Sequence, residues 1–272
     1  KIREATLKIA QGVGVLGLIN IQFAMADSIL YVLEANPRAS RTVPFVSKAT
    51  GRQVAKAAAL IATGIKISEL RNSGMLPENG DGVASGISVK EAVLPFNRFR
   101  RVDGEGVDTV LGPEMKSTGE VMGIASTFGA AFAKSQIAAF GALPQSGAIF
   151  ISLSDKDKSE AVSAVKGLSE LNFELYATLG THNFLGEHGI STQLVAKHSE
   201  KDGNQGAISA VDLINQGKIA LVINTPFGRG AARDGRKIRT AAVARGVSCI
   251  TTLPGLKAAV EGIKELRRGK IT

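Results

Sequence analysis

Three oxygen-bearing side chains, Gln22, Glu34 and Asn36, recur within the first forty residues, and Arg38 follows them. The runs Leu16 to Phe23 and Ile29 to Glu34 are rich in β-formers and flank Ala26-Asp27-Ser28, so they read as a hairpin. Positions 22 and 34 are nearly mirrored about Asp27, and Asn36 shares the face of Glu34 if the strand continues. Oxygen ligands without Cys or His suit a hard cation, and Mg²⁺ keeps waters and substrate phosphates beside one or two carboxylates. Arg38 would reach such phosphates and can fork onto them. Glu and Asn at a strand end also serve as plain turn residues, and spacing alone leaves both readings open.

A second set gathers wherever a strand pattern ends in the second half: Ser154, Thr178-Leu179-Gly180-Thr181, Lys197, Asn224-Thr225 and Thr251-Thr252. Ligands of an open parallel sheet bind beyond the carboxyl ends of its strands. Small hydroxyls, an amide and a lysine in front of helix N-termini make a phosphate cradle. No carboxylate joins the set, which favours binding an anion over hydrolysing it. Each Ser or Thr alone could equally cap the next helix. His182, His188 and His198 have no metal-spaced partners and read as surface or cap residues, and Cys249 reads as core.

These residues need elements to hold them. Residues 1–13 and 54–63 have helical spacing, 72–88 read as loop, Val89 to Phe99 as a strand, and Glu120 to Gln136 as a helix. From Ala148-Ile-Phe-Ile-Ser-Leu153 onward strands and helices alternate to Arg267, which predicts a doubly wound parallel sheet. Ala138 to Gly147, with two Gly and Pro144, carries no sustained period, and the domain boundary is placed there: 1–138 and 139–272.

The 272 residues are 44% hydrophobic and 21% charged with a formal charge of +9, which excludes a disordered chain. One cysteine excludes an internal disulfide framework and predicts a reducing, cytoplasmic compartment. The stretch Val13 to Ala26 is broken by Asn20 and Gln22, too short and polar to span a bilayer. Eleven Lys/Arg against three acids lie between Gly228 and Thr272, but with no Trp and two Tyr in the chain they read as solvated helix faces rather than a nucleic-acid surface. The start, Lys1-Ile-Arg-Glu-Ala5, already has helical pattern, which predicts a chain that begins inside a longer one.

Longer motifs carry a resemblance. Asn20-Ile-Gln-Phe23, Glu34-Ala-Asn-Pro-Arg-Ala-Ser-Arg41, Pro44-Phe-Val-Ser-Lys-Ala-Thr-Gly51, Ser88-Val-Lys-Glu91 with Leu94-Pro-Phe-Asn97, and Leu111-Gly-Pro-Glu-Met-Lys-Ser-Thr-Gly-Glu-Val-Met-Gly123 resemble the second, carbamoyl-phosphate-forming ATP-grasp half of the carbamoyl-phosphate synthase large-subunit family. Asn172-Phe-Glu-Leu-Tyr-Ala-Thr-Leu-Gly-Thr181 and Ile223-Asn-Thr225 are similar to the same family's methylglyoxal-synthase-like regulatory domain. The implied fold is α/β: the C-terminal part of an ATP-grasp domain, α+β with an antiparallel sheet, followed by a doubly wound parallel-sheet domain.

The resemblance implies an ATP-dependent ligase that phosphorylates carbamate for pyrimidine and arginine synthesis. Gln22, Glu34 and Asn36 would be ligands of Mg²⁺ or Mn²⁺, Arg38 a phosphate contact and Arg41 a carbamate or phosphate contact, with K⁺ a further cation. Lys158, Thr178, Thr181, Lys197, Asn224 and Thr225 match the site of UMP- and IMP-type effectors, and Glu91 and Thr251 an ornithine-type site. Pro226 replaces a hydroxyl that some members carry, and Cys249 a Tyr of enteric members. A small glutaminase subunit delivering ammonia is the implied partner, in a hetero-oligomer. The glycine-rich loop and lysine-bearing lid of the family are missing, so the expectation is the inactive last quarter of a longer subunit. A free-standing regulatory module and a methylglyoxal synthase are the rival readings.

Overall fold

In the computed structural model, the described residues are 1–80, 82, 84, 86–96, 108–111, 119–196, 208–226, 228–269 and 271, with backbone only over 228–234. The chain forms two compact units, Lys1–Gly86 and Ile87–Thr272.

In the first unit α1 (Ile2–Val13) ends on Gly14 in the left-handed region, then β1 (Asn20–Ala26) and β2 (Ile29–Asn36) pair antiparallel. Asp27 and Ser28 have φ of 49° and 62°, the two-residue turn whose twist matches a hairpin's. Continued without interruption, that register would set Gln22 against Leu33 and turn Glu34 to the other face. A bulge between Gln22 and Phe23 corrects it: Phe23 pairs with Val32 but Gln22 with Glu34, and Asn20 with Asn36. The expected common face therefore exists, but the bulge makes it, not the mirror symmetry.

Three helices follow, α2 (Thr42–Thr50), α3 (Val54–Ala62) and α4 (Ile67–Asn72). Of these only α3 was expected. Helix α2 starts despite Pro44, because a proline in the first turn loses no intrahelical bond.

The second unit opens with the antiparallel pair β3 (Ile87–Val93) and β4 (Gly119–Ala125) and helix α5 (Phe128–Ala139). The expected single helix over 120–136 is thus wrong in its first half. Val121 and Ile124 suit a strand, β3 offers a partner ladder, and Thr127 starts the helix by accepting the Ala130 amide at 3.3 Å. Expected strand 89–99 stops at Val93, before Leu94-Pro95, and its positions 97–99 lie outside the described residues.

Five parallel strands complete the unit: β5 (Ala148–Ser152), β6 (Glu174–Thr178), β7 (Gln193–Val195), β8 (Ile219–Asn224) and β9 (Ser248–Ile250), in the order β7-β6-β5-β8-β9. Their helices are α6 (Asp155–Glu170), α7 (Leu179–Glu187), α8 (Ala210–Asn215), α9 (Gly228–Arg245) and α10 (Leu253–Arg267). Successive residues of a strand face opposite ways, so Ile149 and Ile151 join the layer of Val165, Leu185 and Ile263, while Ala148 and Phe150 join that of Ile214 and Ile238. Both faces are covered, as a parallel sheet requires.

Glycines let α5 come close to its neighbours. A Cβ on Gly123 would collide with the Ala131 carbonyl oxygen and stand 2.8 Å from the Ser135 nitrogen, and one on Gly129 would stand 2.6 Å from the Glu261 oxygen. Backbone cannot yield as a side chain can, so Gly123→Ala is expected to cost about 3 kcal/mol, at the upper end of overpacking, read as a lower urea midpoint with unchanged slope.

Candidate functional site

The strand order reverses between β5 and β8, from which crossovers leave in opposite directions. A cavity of about 520 Å³ opens at the carboxyl ends of these strands. Its lining includes Ser152, Ser154, Asp155, Lys158, Thr178, Gly180, Thr181, Asn224, Thr225 and Pro226. The strand-end set is thereby brought together, with four exceptions, of which Leu179 is half exposed and not among the described lining residues. Lys197 lies outside the described residues. Thr251 and Thr252 are not among the described lining residues; Thr252 caps α10 by accepting the Gly255 amide at 3.2 Å, the role any one hydroxyl of the set could have had.

The hydroxyls that do line the cavity are held rigidly. Thr181 Oγ1 accepts the Leu153 amide at 3.0 Å, and Thr225 Oγ1 accepts the Ser154 amide at 3.0 Å. A hydroxyl has one proton and two lone pairs. With a lone pair committed to a backbone N–H, its orientation is set and its proton can be given to an anion. Thr178 is the residue before α7 but does not cap it: its hydroxyl stands 3.3 Å from Ser152 Oγ and 3.4 Å from Thr181 Oγ1 and gives its one proton to either. These threonines, with Asn224, are 1–4% exposed.

Charge enters through α6. Lys158, in the second turn and 15% exposed, pairs with Asp155 at 2.6 Å and lies 5.9 Å above the Phe184 ring. Asp155 corrects the expectation that no carboxylate joins the cavity. Its side chain is 94% exposed and spent on Lys158, so it lacks the burial that would make it a proton-transferring group. Lys158 was absent from the strand-end set because it sits one turn inside a helix; an ammonium near a positive helix N-terminus is unfavourable without an anion, and that was the signal available.

In the first unit, Glu34 Oε1 accepts from Gln22 Nε2 at 2.8 Å and Asn36 Nδ2 at 2.9 Å. All three side chains therefore converge on one oxygen. The set offers one carboxylate and two amide oxygens, which fits a hard cation that keeps part of its water shell. Among the described residues no group of three His, Cys, Asp or Glu forms another candidate. Arg38 is exposed and donates to its neighbour's carbonyl, Ala39 O, at 3.0 Å, while Arg41 stands at the start of α2.

Residues 1–70 match the family described as carbamoyl-phosphate synthase L chain, ATP binding domain, and residues 160–251 match the MGS-like domain. The whole chain is 56% identical over 275 residues to the carbamoyl phosphate synthase large chain of Streptomyces avermitilis, covering 100% of this chain and 25% of that protein. The Mycobacterium tuberculosis large chain is 54% identical over 277 residues, with the same coverage. Along its whole length the chain is similar to carbamoyl phosphate synthase large chains. It spans about a quarter of the length of the curated relatives it matches.

Two further family-matched residues lie apart from the cavity lining. Thr251 follows β9, half-buried. Glu91 on β3 accepts from Gln136 Nε2 of α5 at 2.9 Å; burial pushes its carboxyl above the ordinary 4.5, with the bonds from Gln136 and the Ala92 backbone opposing. At the end of the parallel sheet, burial of the Cys249 sulfur pushes the thiol up to about 12, against the pull of the Arg239 guanidinium, which leaves it an unreactive core thiol at neutral pH.

Because the folded pKa of Glu91 lies above its unfolded value, the folded state holds the proton more tightly. Glu91 therefore costs no stability below about pH 4.5 and costs progressively more as pH rises through its raised folded pKa. Glu91→Gln keeps an acceptor for Gln136 and removes the charge. The variant is expected to unfold at higher urea than the wild type at pH 7, with the difference vanishing below pH 4.

Proposed function

We propose that this chain is the C-terminal quarter of a carbamoyl phosphate synthase large subunit, an ATP-dependent ligase, divided by ancestry near residue 138. In this reading its first part contributes a wall of the site where carbamate is phosphorylated, and its MGS-like domain binds a phosphorylated nucleotide such as UMP or IMP. A cytoplasmic hetero-oligomer with a glutaminase subunit follows from the same reading. The observation that carries the effector assignment is the pair Thr181 and Thr225, each hydroxyl oxygen held by a backbone amide just past β5, lining one cavity together with Lys158.

The anion is met by one ammonium and several neutral donors. A hydrogen bond to a charged group contributes about 1.5–3 kcal/mol, a neutral one about 0.5–1.5. Lys158 therefore dominates among the described residues, with Lys197 a second cation by family position. Thr181 does two jobs, since its loss also leaves the Leu153 amide without its acceptor. In calorimetry with UMP and IMP, Lys158→Ala is expected to weaken binding about 10- to 100-fold, because ~1.4 kcal/mol is tenfold. Unchanged affinity would remove the cradle from this cavity, and turnover of dihydroxyacetone phosphate would favour the methylglyoxal synthase reading instead.

In the first part, Gln22, Glu34 and Asn36 would hold Mg²⁺ or Mn²⁺, whose charge, when bound, neutralises that of the nucleotide phosphates. Glu34 supplies the single negative charge of the set, and the two amides orient its carboxylate by donating to Oε1. Arg38 and Arg41 follow on the same connection and supply guanidinium donors to phosphate or carbamate oxygens. The chain by itself is expected to make no carbamoyl phosphate. In the full-length subunit, Glu34→Gln should reduce carbamate-dependent ATP turnover by about 10²-fold or more, the scale of losing a charge-stabilising group, with unfolding temperature unchanged. Near-normal turnover would overturn the metal assignment.

A further inference from the structure

Arg239 on α9 has no exposed surface. A buried guanidinium persists only when its charge and donors are matched. Its Nε and Nη2 donate to the two oxygens of Asp108 at 2.6 and 2.7 Å, a bidentate fork. Its Nη1 donates to Asn224 Oδ1 at 2.6 Å. Asn224 ends β8 and lines the cavity, whereas Asp108 is not among the described lining residues and comes from the segment before β4. The sequence makes room for this contact: a Cβ on Gly235, one helical turn before Arg239, would collide with Nη1 and stand 2.7 Å from Asn224 Oδ1.

An amide side chain has an acceptor end and a donor end. Because Arg239 has no acceptor, its contact fixes which end of Asn224 is which. We propose that Arg239, clamped by Asp108, is a positioning residue that holds the Asn224 amide with its NH₂ group toward the cavity as a donor to the phosphorylated ligand. The inference rests on the anion-binding reading above and adds to it a residue outside the cavity, Asp108, that controls how well the cavity binds. Asp108→Asn replaces one accepting oxygen by an NH₂ that cannot face the guanidinium, so Arg239 loses its fork and Asn224 its fixed orientation.

The test is a cycle of Asp108→Asn and Asn224→Ala in the full-length protein, titrated with UMP and with inorganic phosphate. The expected result is a loss of about five- to twentyfold on Asp108→Asn, the scale of one misoriented donor, and no further loss when Asn224→Ala is already present. A merely structural role for Asp108 would carry its loss unchanged into the Asn224→Ala background. That outcome, or Asp108→Asn binding as the wild type does, overturns the inference. Should Asp108→Asn fail to fold, Asn224→Asp replaces it: the new carboxylate still accepts from Arg239, so the variant should melt no lower than the wild type while losing anion binding. Wild-type affinity in that variant overturns the inference too. If the wild type binds neither UMP nor phosphate, the anion-binding reading itself fails, and the inference with it.

Discussion

Two strands without a polar side chain until their last residue decide the architecture of the second unit. Ile149, Phe150 and Ile151 of β5 and Leu221, Val222 and Ile223 of β8 have no accessible surface. Such strands cannot lie at a sheet edge or face water on either side, so helices must cover both faces and the two strands must be central. Their hydrophobic runs end on the same rung, where Ser152 pairs with Asn224. The first polar groups of both strands thus arrive together, at the point where strand order reverses. The cavity is the consequence of that coincidence.

Everything that lines the cavity is then placed by backbone already fixed. The amides of Leu153 and Ser154 leave the sheet with no strand partner and take the hydroxyls of Thr181 and Thr225 instead. Buried N–H groups must be satisfied, so these contacts serve the fold and the site at once. Asn224 is treated the same way from behind by Arg239. In the proposed anion-binding reading the donors are preorganised, because Thr181, Thr225 and Asn224 each have a structural partner, which reduces the ordering cost of binding.

The first unit shows the opposite economy. Only Ala57 and Leu70 among its described residues reach the core, and the side chains of Gln22 and Glu34 are exposed. What positions them is a single extra residue in β2, which restores a common face after a turn of the wrong parity. A bulge of this kind re-aims a side chain without any core to hold it.

Much of this was legible in the sequence, because it depends on local rules. The uninterrupted apolar runs, the alternation of strand and helix, the Asp27-Ser28 turn, and hydroxyls at strand ends all follow from neighbours a few residues apart. So did the membership of Thr178, Thr181, Asn224 and Thr225 in one site, given a parallel sheet. The tertiary structure decided the rest. Glu120 to Ala125 reads as helix alone and becomes strand because β3 offers it a ladder and α5 sits against Gly123. Which hydroxyl caps and which faces the cavity depends on the strand order, and strand order is a long-range property. Arg239 looked like one cation in a basic helix. Its partners are 131 and 15 residues away, and only folding brings them to the same guanidinium.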